Sequence, residues 1–232
     1  MAGPKKREPV TPERILEAAL RLADAQGLGS LSMRKIAGEL GVEAMALYNH
    51  VPNKDAILDG LVETVLGEIE LPQPDEPWKD GMRRRARSAR VVFSRHPWAM
   101  GLVEARPQNS SPRRLGYYDA VLGSLRAAGF GHRLAMRAFS ILDAYIYGFI
   151  LQEQNLAFGD DESLQEVGAD LLQQMADAFP HLIEATTAAM GEGYDFEQEY
   201  AFGLELLLDA LERARDGEAG AARTMPPRMP GA

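Results

Sequence analysis

Residues 32–54 constrain the fold most, because they combine two short helical segments with turn residues between them. The stretch reads SMRKIAGELGVEAMALYNHVPNK. Ser32 is suited to cap the first segment, since its hydroxyl can accept from free N–H groups of the first turn. Gly41 follows directly, where glycine readily adopts the left-handed conformation that ends helices. A second helix over about 43–48 must end before Pro52, which cannot continue it. The pattern predicts a helix-turn-helix.

The side chains of this segment are suited to phosphates and base edges. Helices of two turns are unstable alone and require packing on a larger body. Asn53 is expected to cap the next helix, where the ammonium of Lys54 and free backbone N–H groups can meet a phosphate. The candidate DNA-contacting residues are Ser32, Arg34, Ala44, Met45, Tyr48, Asn49, His50 and Lys54. The alternative is a helical hairpin inside a core, with Tyr48 and His50 as ordinary half-buried residues.

The segment from Thr11 onward resembles the DNA-binding domain of the tetracycline-repressor (TetR) family. The similarity rests on TPERILEAALRLADAQGLGSLSMRKIAGELGV, LYNHVPNK and DAIL, over residues 11–58. It implies a regulator that binds a double-stranded DNA operator as a homodimer and is released by a small ligand in its C-terminal domain. We expect Tyr48 and Lys54 to hold phosphates, and Arg34 or Asn49 to read bases through bidentate hydrogen bonds.

Length and composition agree with a regulator of this kind. The 232 residues allow one large domain or two small ones. The absence of cysteine excludes disulfides and thiolate metal sites. No uninterrupted apolar run reaches the ~18 residues of a membrane span, and no signal peptide opens the sequence. A cytoplasmic protein is the expectation.

The net charge of −9 is unevenly distributed along the chain. Residues 1–54 hold eight Lys and Arg against six Asp and Glu, a net charge of +2, so the remainder carries −11. A basic head on an acidic body can orient the protein on DNA. Residues 1–10 form a basic flexible arm, which either touches a neighbouring groove or phosphate or is a disordered tail.

The sequence predicts an all-α protein: a three-helix N-terminal head with a helix-turn-helix, and a larger helical bundle for ligand binding and dimerisation. The head covers 11–55 and a linker helix covers 56–70. The proline-rich segment around residue 71 opens the bundle, which extends to residue 215 and is followed by a disordered tail over 216–232. The predicted helices of the bundle are 79–95, 97–105, 112–128, 131–157, 162–190 and 195–214.

Two of these helices have the composition of interface helices. The helices at about 131–157 and 195–214 carry apolar residues on more than one face, which requires a central position or burial by a partner. In the family that the chain resembles, the corresponding helices form the dimer interface. A symmetric dimer places two recognition helices one DNA turn apart.

Candidate ligand contacts are the aromatic and neighbouring side chains of the bundle, since ligand pockets are mostly apolar with a few polar groups. They are Trp78, Met82, Trp98, Leu102, Tyr117, Tyr118, Tyr145, Tyr147, Phe149 and Gln152. For each of these residues, the alternative to a ligand contact is a position in the hydrophobic core. The ligand is expected to be small and apolar or aromatic.

Aligned with the tetracycline repressor, Leu102 stands where that protein has a magnesium-ligating histidine and Gln152 where it has a glutamate. A leucine cannot ligate a hard cation, so we expect no metal, no cofactor and a ligand other than magnesium–tetracycline.

An enzyme is the weaker interpretation. The four histidines are scattered, and the sequence has no phosphate-binding glycine loop or nucleophile elbow. Two alternatives of other kinds stay open. One is an activator or ligand-independent regulator of the same fold; the other is a helical ligand-binding or scaffold protein that does not bind DNA.

Overall fold

The computed structural model describes residues 9–106, 111–156, 178–191 and 194–224. Within these ranges the chain is helical and has no strand, which confirms the all-α expectation. The chain divides into two compact units, Met1–Ala128 and Gly129–Ala232. The expected arm at 1–10 lies almost wholly outside the described residues.

Seven helices make up the described part of the first unit. They are α1 (Pro12–Gln26), α2 (Met33–Leu40), α3 (Ala44–Leu47), α4 (Lys54–Glu68), α5 (Trp78–Arg95), α6 (Ala99–Ala105) and α7 (Pro112–Ala127), with a 3₁₀ turn at Leu28–Ser30. The second unit contains α8 (His132–Leu156), α9 (Pro180–Gly191) and α10 (Phe196–Thr224).

The head forms around the apolar face of α1. Thr11 accepts from the Arg14 amide at 3.3 Å, and Pro12 takes the first helical position, where its missing N–H costs nothing. The buried residues of the helix recur at the spacing of one helical face; they are Ile15, Ala18, Ala19, Leu22 and Ala23. α1 packs against α2 and α4, so the two-turn helix α2 is stabilised by tertiary contacts rather than by itself.

The turn between α2 and α3 has the geometry that its residues predict. The Ser32 hydroxyl accepts from the Lys35 amide at 3.3 Å and caps α2. Gly41 ends α2 with φ of 67°, in the left-handed region. Ile36 and Leu47 are fully buried, one on each helix, and Val51 closes the far end. α3 is slightly shorter than the predicted 43–48, because Glu43 and Tyr48 are its caps.

The predicted boundary at residue 71 does not coincide with the division into compact units. α4 packs against α5, α6 and α7 as well as against α1, so the head and these three helices form one unit. The buried residues Ile57, Leu61 and Val65 of α4 explain this packing, since they extend along the whole linker helix. The linker is therefore part of the core of this unit.

The second unit is built on the pairing of α8 with α10. The buried residues of α8 recur every four positions, as Leu134, Ala138, Leu142, Ile146 and Ile150. Those of α10 are Tyr200, Leu204, Leu208 and Leu211. Tyr145 stacks on Tyr200 with ring centroids 5.6 Å apart. Gly203 permits this contact, because a β-carbon there would clash with the Tyr145 hydroxyl.

Two expectations about the C-terminal half were wrong in part. Of the predicted helix over 162–190, residues 178 and 179 are not helical and the described helix begins at Pro180, because proline begins a helix more readily than it continues one; residues 157–177 lie outside the described part. The tail expected to be disordered from residue 216 instead continues α10 as far as Thr224. Alanine, arginine and glutamate in that stretch favour helix over the two glycines. Residues 225–232 are not described.

α8 is, by length and composition, apolar enough to cross a membrane, although it contains no uninterrupted apolar run of that length. Charged side chains at Arg133, Arg137 and Asp143 interrupt it. Only 39% of its most apolar stretch is buried within the protein. The helix therefore has apolar surface left over after packing on α10.

The turn glycine provides a test of the head. Gly41→Ala should lower the free energy of unfolding by about 1 kcal/mol, because an alanine at positive φ is strained. Urea denaturation followed by circular dichroism measures the change. The matched control is Gly38→Ala in the same helix, where φ is helical and a β-carbon meets open space; it should raise stability by about 0.5–1 kcal/mol. Equal effects of the two substitutions would contradict the left-handed conformation of Gly41.

Candidate DNA-binding surface and ligand-binding residues

The helix-turn-helix has one buried side and one exposed side. Six of the eight candidate DNA-contacting residues have exposed side chains: Arg34, Met45, Tyr48, Asn49, His50 and Lys54. Ser32 and Ala44 are half-buried, the former because its hydroxyl caps α2. Met45 is 74% exposed and Tyr48 is 46% exposed, although both are large. The alternative of a hairpin inside a core is therefore wrong.

The beginning of α4 supplies a second kind of contact. The Asn53 side chain accepts from the Ala56 amide at 2.9 Å, as expected for the cap. The amides of Lys54 and Asp55 also lie in the first turn, where backbone N–H groups have no acceptor within the helix. The N-terminal end of a helix carries partial positive charge, which adds to the charge of Lys54. An anion such as a DNA phosphate is favoured there.

Polar contacts attach this end of α4 to the C-terminal end of α6. Arg106 donates to Asp55 Oδ1 at 2.7 Å and lies 3.0 Å from Asp59 Oδ1. The buried Arg114 of α7 donates to the carbonyls of Arg106 at 2.6 Å and Val103 at 3.4 Å. Arg114 thereby provides hydrogen-bond donors to carbonyl groups at the end of α6, where the helix itself offers few. A change in α6 or α7 can thus reach the helix that carries Lys54.

Six of the ligand candidates lie in the first unit. Trp78, Met82, Leu102 and Tyr117 are buried, while Trp98 and Tyr118 are half-buried. The Tyr117 hydroxyl accepts from Nε of the buried Arg85 at 2.8 Å, and the guanidinium lies 5.0 Å from the ring centroid. Tyr118 accepts from Arg114 at 2.7 Å. Each tyrosine therefore pairs with an arginine, a relation that the sequence did not indicate.

Trp98 differs from the other candidates in this unit. Its indole N–H donates to Asp24 of α1 at 2.8 Å, and the imidazole of His96 lies 2.7 Å from the same carboxylate oxygen. The side chain therefore contacts the head. Neither Asp24 nor His96 was among the predicted site residues; the one signal for them is the His96-Pro97-Trp98 sequence, which by itself predicts only a helix break.

The remaining ligand candidates lie in the second unit. Tyr145, Tyr147 and Phe149 are half-buried, whereas Gln152 is exposed. Tyr145 donates to the Tyr200 carbonyl at 2.8 Å, and burial raises the pKa of its hydroxyl above the ordinary value. Phe149 packs on the Tyr200 ring with centroids 5.0 Å apart.

An open cleft of about 590 Å³ lies between α5 and the C-terminal end of α4. Most of its charged residues are paired with one another: Arg83 with Asp80 at 2.6 Å, Arg84 with Glu70 at 3.2 Å and Arg95 with Glu68 at 2.7 Å. Arg84 also pairs with Glu76, outside the cleft. A hydrogen bond from the Gln73 amide holds the pKa of Glu76 below its usual range. The cleft contains none of the ligand candidates. Among the described residues no group of three histidine or acidic side chains is placed to hold a metal ion.

A helix-turn-helix with an exposed, cationic reading face on an all-α body defines a DNA-binding protein. The chain matches two family models: residues 15–61 match bacterial regulatory proteins of the tetR family, and residues 71–215 match the tetracyclin repressor-like C-terminal domain. The chain belongs to the TetR family.

Known proteins of the family are similar over most of their length. The transcriptional repressor DrrR1 of Streptomyces coeruleorubidus is 31% identical, over 90% of this chain and 79% of its own. The class A tetracycline repressor from Escherichia coli is 32% identical, over 88% of this chain and 91% of its own. ActR of Streptomyces coelicolor, in its crystal structure with actinorhodin, is 31% identical with a TM-score of 0.73, covering 89% of this chain and 97% of that one.

The resemblance in the N-terminal segment is thereby confirmed and extends through the body. The chain is a DNA-binding transcriptional repressor of a family that binds operators as homodimers and responds to small molecules, and it is not an enzyme.

Proposed function

We propose that the chain is a cytoplasmic homodimeric repressor whose exposed α2–α3 surface binds an operator until an aromatic ligand releases it. The observation that carries the proposal is the exposure of Arg34, Met45, Tyr48, Asn49 and Lys54 over a buried Ile36–Leu47 core. Exposing a large apolar methionine to water is useful when a partner covers it. DNA bases provide such a partner through their methyl groups and edges.

The roles within this surface follow from side-chain chemistry. Tyr48 and Lys54 hold phosphates, because a phenol can donate a hydrogen bond and the lysine adds its charge at a helix N-terminus. Arg34 and Asn49 have the planar donor groups that recognise guanine and adenine. Ala44 and Met45 offer only apolar contact. His50 borders the phosphate-binding pair, and Ser32 orients α2 through its cap.

The dimer forms through the faces of α8 and α10 that do not pack on each other. Met136, Ile141 and Leu151 of α8 are 43–52% exposed, and Phe202 and Leu206 of α10 are 63% and 55% exposed. In each helix these residues lie away from the buried face, which indicates a second packing surface. Burying them requires another copy of the chain, and a two-fold axis also provides two reading heads for a near-palindromic operator.

The ligand is an apolar or aromatic compound that binds among α5, α6 and α7 without magnesium. Leu102 is buried in α6 and offers no ligand to a cation, while Gln152 is exposed and uncharged. The similar protein ActR has been crystallised with actinorhodin, which serves as the first probe. The attachment of α6 to α4 through Arg106 and Asp55 provides a route from ligand to head.

Two substitutions distinguish phosphate contacts from base contacts. Operator DNA is first obtained by selecting bound sequences from a random pool. Lys54→Ala should then weaken binding to operator and random DNA alike and lower the salt slope by about 0.9 for each phosphate that the protein no longer neutralises. Arg34→Ala should instead cost about 1–3 kcal/mol of discrimination at one base position.

Fluorescence anisotropy at several salt concentrations measures both effects. The matched control is Arg126→Ala, which removes one positive charge from the exposed surface of α7, outside the helix-turn-helix. The control should leave base discrimination unchanged. Identical behaviour of the Lys54 and Arg34 variants on operator and random DNA would refute the assigned roles.

The dimer interface is tested by placing a charge in it. Leu206→Glu should weaken dimerisation about a hundredfold or more, because a carboxylate would be buried without a partner in each subunit. Sedimentation velocity over a concentration series measures the change. Leu115→Glu is the control, since Leu115 is 52% exposed on α7. A dimer unaffected by Leu206→Glu would place the interface elsewhere.

The ligand class is tested with a single tryptophan as the reporter. Trp98→Phe leaves Trp78, at the beginning of α5, as the single tryptophan of the chain. Actinorhodin should quench Trp78 fluorescence and release the wild-type protein from operator DNA, because Trp78 is among the candidate pocket residues. Tetracycline should do neither, with or without magnesium chloride. Magnesium-dependent release by tetracycline would overturn this part of the proposal.

A further inference from the structure

A cluster of polar side chains connects α1 of the head to the segment before α6. Asp24 Oδ1 lies 2.7 Å from His96 Nδ1 and accepts from Trp98 Nε1 at 2.8 Å. His96 is 3% exposed, and the Asp24 side chain is 33% exposed. Because an ionised carboxylate can only accept, the hydrogen of this contact is on His96 Nδ1. One carboxylate of the head thus holds two donors that are two residues apart.

The opposite edge of the imidazole faces the end of the linker helix. His96 Nε2 lies 3.5 Å from Glu68 Oε2, and Arg95 donates to that same oxygen at 2.7 Å. The rings of His96 and Trp98 meet edge to face with centroids 6.0 Å apart. The Asp24 cluster, formed by Asp24, Glu68, Arg95, His96 and Trp98, therefore gathers four helix ends or faces at one point.

We propose that Asp24, His96 and Trp98 are positioning residues that set the orientation of the helix-turn-helix without contacting DNA. α2 packs on α1, so the orientation of α1 determines that of the reading surface. Apolar packing between helices is non-directional, whereas hydrogen bonds to a carboxylate are strong and directional. The Asp24 cluster supplies the directional part of the attachment between α1 and α5–α6.

This role rests on the proposed homodimer, and it requires that both heads of the dimer have a fixed orientation. A dimer recognises the spacing of two half-sites, about one DNA turn apart, only if each head is held in a fixed orientation. Loosening the cluster leaves base reading within one half-site intact, because the reading residues and their core are unchanged. Loosening the cluster does remove the loss of affinity for operators with altered spacing, since a loosely held head can adapt to the new position of its half-site.

The experiment compares three variants on operators whose half-sites are moved apart or together by two base pairs. Asp24→Ala removes the acceptor of both hydrogen bonds, and Trp98→Phe removes one donor while keeping an aromatic ring. His96→Asn retains an N–H close to the position of Nδ1. Asp24→Ala should lower affinity for the natural spacing about tenfold and abolish discrimination between spacings, in keeping with the loss of charge-assisted hydrogen bonds.

Trp98→Phe should show the same change to a smaller extent, and His96→Asn should retain most of the discrimination. Glu17→Ala, which removes an exposed carboxylate from the same helix α1, is the control and should behave as wild type. Single half-site DNA and thermal melting are measured for every variant.

The role is refuted if Asp24→Ala and Trp98→Phe retain the spacing discrimination of the wild type. It is also refuted if these variants lose as much affinity for a single half-site as for the full operator, because that result indicates that the head itself is misfolded. A monomeric wild-type protein overturns the proposed dimer, whereas a dimeric wild type that is indifferent to spacing refutes the positioning role; both results are visible before any variant is made.

Discussion

The packing of α2 on α1, and of α3 on α2, is the interaction on which the DNA-binding function depends. α2 has eight residues and α3 has four, both too short to be stable in water alone. Their apolar residues Ile36 and Leu47 are fully buried, and this burial converts marginal helices into a rigid surface. Each such side chain contributes about 1.5–3 kcal/mol on burial. Rigidity matters because base reading requires donors and acceptors at fixed positions.

α1 packs on both α2 and α4, and through α4 it connects the reading surface to the rest of the first unit. α4 packs against α5, α6 and α7, and its first turn is bonded to Arg106 at the end of α6. Arg114 in turn holds the last carbonyls of α6. Under the proposed function, the body acts on the DNA contacts through the helix that begins at Lys54. A ligand that binds more tightly to one arrangement of α6 and α7 shifts the population of head orientations.

The head was predictable from the sequence because its local chemistry determines it, whereas contacts between distant residues were not predictable. The caps at Ser32 and Asn53 and the left-handed Gly41 are decided by residues within four positions. Asp24 and His96 are 72 positions apart, and nothing in either local sequence indicates the other. The C-terminal end of α10 also depends on a distant contact. A helix already nucleated by its packing on α8 continues through glycines that suggest a break. Prolines near residue 71 likewise suggest a domain boundary, although buried residues along α4 make the linker helix part of the core of the first unit.

The strength of the polar attachments sets how easily the head can be moved. Asp55 and Asp59 are 76% and 45% exposed where they meet Arg106, so each of these ion pairs contributes at most about 1 kcal/mol. A ligand must supply about 5.5 kcal/mol of differential binding to move an equilibrium from 1:99 to 99:1. A body held to the head by strong buried ion pairs would add to that requirement. The exposed pairs around Arg106 keep the opposing energy small at this attachment, which favours release of the operator when a ligand binds.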